Sequence, residues 1–388
     1  MDSFLKEFED GLQGKNLGLP VGIPSLDDAI NGLQRKQIIG LAAPPKAGKS
    51  ALALFSFLIH PYLYSIDNDV DIDFIFFSLE MDLNQLRYRV AAFFFYYDYG
   101  IKEFTHNGKI YPISANYLLS KLKDENDFIT VDGRKVRKPI IPNEEHQRIL
   151  HEIHEKRLVP MFGEYNGHVL VKPGKVRVIV DSKEANPTGI RNFILNYAKE
   201  NGRFLFEEYE TTNEAGVKVK RQRLSGYEPK NPEKYTIIFI DHLRKMPIER
   251  GFTIKQNIDK MLEYQVQLRN LCSFTFIDII HMNRGLANVD RMKHVTDRLF
   301  PTPEDIKDTG NVSEEADMVI TMMDPTDERY KLAKHFDMPI ANYPKYRSIH
   351  LVESRTTEAP MHLRVNFTPG INWFETLIPD NELISTGI

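Results

Sequence analysis

The chain has 388 residues, 42% of them hydrophobic, a formal net charge of −4 and a single cysteine, Cys272. That composition supports one large or two smaller cores without staples, and it gives no bulk attraction to nucleic acid, so any DNA contact must come from a locally basic surface. No apolar run reaches the roughly 18 residues of a membrane span, and Met1-Asp2-Ser3 opens no signal peptide, which points to a cytoplasmic protein with no membrane partner.

Phe4, Phe8 and Leu12 fall at i, i+4 and i+8, one face of a short helix that Asp2 or Ser3 would cap. The stretch from Gly14 to Gly18 breaks it. We read residues 1–19 as a linker and 20–388 as the main domain. The stripe must be buried either on its own core or on a neighbouring subunit, and the sequence leaves both open.

Gln37 to Ala42 reads as a buried strand and Ala51 to Ile59 as a buried helix. Between them lies Ala43-Pro44-Pro45-Lys46-Ala47-Gly48-Lys49-Ser50. Strand, tight loop and helix form the context of a phosphate-binding loop, where backbone N–H groups and a helix N-terminus face a polyphosphate. Lys49 would reach the terminal phosphates of ATP and the Ser50 hydroxyl would ligate Mg²⁺. Ala43 stands where that pattern usually has a glycine.

Phe74 to Met81 reads as a second buried strand, and it carries Glu80 at the C-terminal end, the edge of a parallel sheet where ligands sit. Leu83 to Tyr99 reads as an aromatic-rich core helix. From Gly100 to Lys234 the signals weaken. Glu144 to Arg157 and Thr188 to Ala198 are expected to be helical, and Arg177 to Asp181 a strand. The polar tract 205–234 reads as an insertion, with a hairpin turn at Asn213-Glu214-Ala215-Gly216 and a basic run, Lys218 to Arg223, of the kind that usually lines a solvated face.

Tyr235 to Asp241 holds four consecutive apolar residues, Ile237 to Ile240, and ends in a carboxylate, as a buried parallel strand would, and Asp241 would hold the metal's water shell opposite Ser50. A basic loop with Arg244 and Lys245 follows, then a helical period through Ile254, Ile258, Met261, Leu262 and Leu268. Phe274 to Ile280 is a third buried strand, ending at His281. Met318 to Met323, Ser348 to Ser354 and Met361 to Phe367 are further strands. Cys272 is expected to be a small core residue.

Six blocks in order resemble the hexameric replicative helicases of the DnaB family and the related phage primase–helicases. They are Gly22 to Asp27 with the phosphate loop; Phe77-Ser78-Leu79-Glu80-Met81 with Gln85, Leu86 and Arg89; Ile240-Asp241-His242-Leu243; His281-Met282-Asn283-Arg284; and Asp305 to Gly310 followed by Glu315-Ala316-Asp317, with Glu353-Ser354-Arg355 closing the series. The resemblance implies an α/β RecA-like P-loop NTPase fold, a mostly parallel twisted sheet flanked by helices with antiparallel strands at the C-terminus. It implies an ATP- and Mg²⁺-dependent ring, hexameric in that family, moving on single-stranded DNA, in the host cytoplasm if the chain is viral. By position, Glu80 orients the attacking water, His281 senses the γ-phosphate, Arg355 is the finger reaching the next subunit's nucleotide, and Lys307, Asp308 and Gly310, with Arg284, face the DNA.

In two places the chain departs from that pattern. Glu353 stands where relatives usually have a lysine, and only about twenty residues precede the motor core, so a separate primase and loader are implied. A RecA-like recombinase or regulatory ATPase that does not unwind DNA is the rival reading. A nucleotide-gated assembly factor with vestigial hydrolysis is a third, and it leaves Glu80 without a purpose.

Overall fold

The computed structural model describes residues 3–13, 16–167, 169–180, 184–212, 218–282, 286, 291, 297–306 and 311–378. A nine-stranded sheet organises them. In chain order its strands are β1 (Ile38–Ala43), β2 (Ile72–Ser78), β3 (Val176–Val180), β4 (Tyr235–Asp241), β5 (Thr275–His281), β6 (Met318–Met323), β7 (Tyr346–Ser354), β8 (Met361–Thr368) and β9 (Trp373–Thr376). In space the order is β9-β8-β7-β6-β1-β5-β4-β2-β3. The first six strands run parallel and the last three antiparallel, as expected.

The sequence of the central strands explains their place. Every residue of β1 and β6 is buried, and alternate side chains feed two different cores. Ile39 and Leu41 pack into the core on one face, and Ile38 and Ala42 into that on the other. A strand covered on both faces has no polar side to show, hence the continuous apolar runs. On the first face lie α2 (Pro24–Ile30), α3 (49–67) and α4 (Leu83–Tyr99). On the second lie α6 (Pro187–Asn201) and α7 (Ile254–Cys272), whose last residue, Cys272, is a buried core thiol as expected. Helix α5 (Glu144–Ile153) packs near α4. Within α3 the stretch Ala53–Ile59 is π-helical and wholly buried.

Helix ends follow local chemistry. Asp82 caps α4 by accepting from Gln85 N, and Gly100 stops that helix in the left-handed region. Thr253 and Gln256 form a capping box on α7.

The N-terminal helix α1 (Ser3–Leu12) forms as predicted, but Phe8 is 60% and Leu12 74% exposed. Its apolar stripe is therefore not buried on its own core at those two positions. The tract 205–234 is a ribbon of two antiparallel strands, Gly202–Thr212 and Lys218–Pro229, which starts three residues earlier than the sequence indicated. Its expected turn lies outside the described residues. The basic run is one strand of that ribbon, and exposed pairs Lys218–Glu210, Lys220–Glu208 and Arg223–Glu207 offset its charge. Three further ribbons, between residues 103 and 172, were not foreseen.

Candidate nucleotide site

The sheet register sets the site. Ala43 of β1 pairs with His281 of β5, Asp241 of β4 with Ile279 of β5, and Asp241 again with Ser78 of β2. Four strand ends thus stop at one level, on one edge. Leu79 N donates to Asp241 O at 2.6 Å and Ser78 Oγ to Met81 O at 2.6 Å, which closes the turn after β2 and leaves Glu80 at its rim.

The phosphate loop leaves β1 at Ala43, which is still in the strand; that position therefore needs no glycine. Gly48 does need to be one. Its φ is +112°, and an added Cβ would lie 2.9 Å from the Phe367 ring and 3.2 Å from the Met322 methyl. Lys49 then opens α3, with its N-terminus turned to the same edge.

A cleft of about 590 Å³ opens there. Pro45, Lys46, Gly48, Lys49 and Ser50 form its floor, and Glu80, Arg89 and His281 line its wall. Ser114 to Asn116, from the region of unforeseen ribbons, and Phe367 to Asn372 close the far side. Ala43, Pro44 and Ala47 shape the loop behind it.

Lys49 Nζ lies 3.0 Å from Nδ1 and 3.2 Å from Nε2 of His281. Burial lowers the Lys49 pKa, against the raising field of Glu80 and Asp241. Burial, then the Lys49 charge, lowers that of His281, so the ring is neutral at neutral pH and accepts from the ammonium. His242 packs on it with ring centroids 4.0 Å apart and is driven down to about 3, chiefly by burial. The sequence reading gave His242 no role, because a histidine following a strand aspartate has no distinguishing spacing.

Asp241 is fully buried, and neither carboxylate oxygen has a hydrogen-bond partner among the described residues. Burial, reinforced by Glu80, pushes its pKa up to about 6. An orphaned buried carboxylate at the edge that also carries Ser50 fits a hard cation, which prefers oxygen donors. Ser50 and Asp241 are the residues that would hold Mg²⁺, whose charge would offset that of the phosphates. Glu80 is partly exposed, with Lys245 Nζ 3.8 Å from Oε1.

Arg355 is not brought to this cleft. It follows β7, whose last residue, Ser354, pairs with Met318, and Met318 pairs with Ile39 at the start of β1. It therefore sits on the opposite edge, half exposed, with Nη2 donating to Glu314 O at 2.5 Å and Nη1 3.6 Å from Asp317 Oδ1. Glu353, one strand residue earlier than Ser354, lies near that same edge. The expected DNA-facing residues Arg284, Lys307, Asp308 and Gly310 lie outside the described residues.

Comparison with known proteins bears on this arrangement. Residues 18–95 match the family model of the DnaB-like helicase C terminal domain, a span that includes the phosphate loop, Glu80 and Arg89 but not Asp241, His281 or Arg355. No curated protein sequence matches the chain. Among solved structures, a DnaB-like replicative helicase studied with primase is 15% identical at a TM-score of 0.58, covering 97% of this chain and 68% of that one. The ATPase domain of G40P is 14% identical at a TM-score of 0.56, covering 97% of this chain and 96% of that one. The chain thus resembles the DnaB-like helicase C terminal domain over residues 18–95 and shares the fold of both structures over nearly its whole length.

Proposed function

We propose that this protein is an ATP-dependent DNA helicase of the phage type, which assembles as a hexameric ring and translocates on single-stranded DNA during replication. The observation that carries the reading is the shared edge: Lys49, Ser50, Glu80, Asp241 and His281 converge there from four strands, while Arg355 stands on the other edge. A residue so placed cannot act on its own chain's nucleotide, but it is free to act on a neighbour's.

Phosphoryl transfer needs positioning and charge compensation rather than covalent chemistry. Lys49 holds the terminal phosphates, and Glu80 orients or deprotonates the attacking water. His281, in contact with Lys49, reports the γ-phosphate to the segment that follows β5. That segment and residues 307–310 carry the DNA contacts, through the backbone phosphates and with little sequence preference. The exposed Phe8 and Leu12 of α1 dock on the neighbouring subunit. A separate primase and loader complete the system.

Steady-state ATP turnover with and without single-stranded DNA, followed by a fork-unwinding assay, tests the reading. DNA-stimulated turnover with unwinding is expected. Stimulated turnover without unwinding would transfer the protein to the recombinase or regulatory class, and no turnover at all would leave a nucleotide-gated binding protein.

A further inference from the structure

We propose that Asp278 is held as an un-ionised carboxylic acid in a two-bond ring with the Gln265 amide, a proton-closed joint between β5 and α7. Asp278 sits at the middle of β5, paired with Gly40 of β1 on one side and Ile240 of β4 on the other. Gln265 meets it from α7, and both side chains are buried completely. Gln265 Nε2 donates to Asp278 Oδ1 at 2.7 Å.

The second prong of each group is orphaned. Asp278 Oδ2 and Gln265 Oε1 are buried and have no hydrogen-bond partner among the described residues. With the acid ionised, both atoms are acceptors and neither can serve the other. One proton on Oδ2 makes that prong a donor, and its bond to Oε1 lies beside the one already present. A single proton thus satisfies two buried groups that otherwise break the pairing rule.

No counter-charge competes with the proton. Phe276 and Ile280 of β5 and Met261, Leu262 and Leu268 of α7 fill the same core. Arg269 of α7 is bound to Asp317, and Tyr197 of α6 donates to Asp73. The Cys272 thiol, pushed up to about 12 by burial, stays neutral. Asp241 and His281 stand at the ends of β4 and β5, away from this mid-strand position. Burial raises the Asp278 pKa to about 7, the Gln265 bond pulls the other way, and no charge contributes among the described residues. Enclosed by apolar side chains, the site admits a proton and not a hydrated cation, unlike Asp241 at the strand end. The ring ties the strand that ends in His281 to the helix whose Asp259 accepts from Asn311 N at 3.2 Å, just beyond the expected DNA-facing residues.

Urea denaturation of wild type and Asp278→Asn across pH 4 to 8 tests the ring. The asparagine amide donates to Gln265 Oε1 and accepts from Nε2, so it copies the protonated acid and cannot ionise. In wild type the folded pKa is raised from 3.8 to about 7, so the stabilisation is complete below the lower value and is lost as pH rises to the higher one. The ratio of the two folding constants should therefore shift toward the variant by about tenfold per pH unit, up to about a thousandfold in all. A ratio that stays constant, or moves toward wild type, would overturn the assignment. Infrared spectra of wild type and Gln265→Leu give a second readout that needs no asparagine variant. The C=O stretch of a neutral buried acid should fade in wild type through about pH 7 and move to higher frequency in Gln265→Leu, where the acid has lost its partner. A band that Gln265→Leu leaves unmoved would also overturn the ring.

Discussion

The two edges of the central sheet are built from the same residue types and treat them in opposite ways. At the edge where β1, β2, β4 and β5 end, Asp241 has two buried oxygens without partners among the described residues. At the edge where those strands begin, the acids are satisfied. Asp317 accepts from Arg269 at 2.7 Å and from Ile38 N at 2.8 Å. Asp73 accepts from Tyr197 Oη at 2.7 Å and from Lys234 Nζ at 2.6 Å. Buried polar groups in folded proteins are nearly always paired. The orphaned Asp241 carboxylate on one edge, against paired acids on the other, marks where stability has been given up for a ligand.

The largest expected effect comes from removing chemistry at the unsatisfied edge while leaving its shape. Glu80→Gln should bind ATP with near-normal affinity and turn it over about 10²–10⁴-fold more slowly, the usual worth of a general base. A wild-type turnover rate in that variant would remove Glu80 from the mechanism and blur the contrast between the edges.

Next in size is damage to the satisfied edge. Asp317→Ala leaves Arg269, a nearly buried cation, without its carboxylate and leaves Ile38 N without an acceptor. Breaking such a pair costs about 3 kcal/mol. The urea midpoint should fall with little change in slope, while ADP affinity at constant Mg²⁺ stays as it was. A variant as stable as wild type would show that the pairing of this edge is incidental.

The smallest effect is a gain. Asp241→Asn should stabilise the protein by about 2 kcal/mol at neutral pH in the absence of Mg²⁺ and nucleotide. The folded-state pKa is raised, from 3.8 to about 6, so the carboxyl favours folding while protonated below the lower value. That advantage is lost as pH rises through about 6 and the buried charge forms. The difference between variant and wild type should therefore be near zero at pH 4 and open between pH 4 and 6. Urea denaturation at both ends of that window would show it, and a gap independent of pH would mean the Asp241 charge is already compensated.

What the sequence made legible depended on burial. The strands β1, β2, β4, β5 and β6 were readable because a strand covered on both faces has a continuous apolar run, and the phosphate loop because it sits between such a run and a helix. The ribbons between 103 and 172 were not, because most of their residues are exposed and carry no apolar alternation. Arg89 was legible only as part of the motif around Glu80, without a role; the packing of its aromatic-rich helix beside the strand ends is what brings it to the cleft. The opposite-edge position of Arg355 likewise needed the antiparallel pairing of β6 and β7, which no local pattern announces.

The satisfied edge has a mechanical side as well. Asp317 grips β1 twice, since its carboxylate accepts from Ile38 N and its own N–H donates to Ile38 O, and it also holds the backbone N–H of Arg355 through its carbonyl at 2.9 Å. Ile38 begins a strand of six residues, about 20 Å long, clamped between two parallel neighbours and ending in the phosphate loop. A pull on Arg355 from outside the subunit would load that strand along its axis, its stiffest direction. β1 is in this sense a connecting rod, with a hand on one end and the nucleotide's cradle on the other.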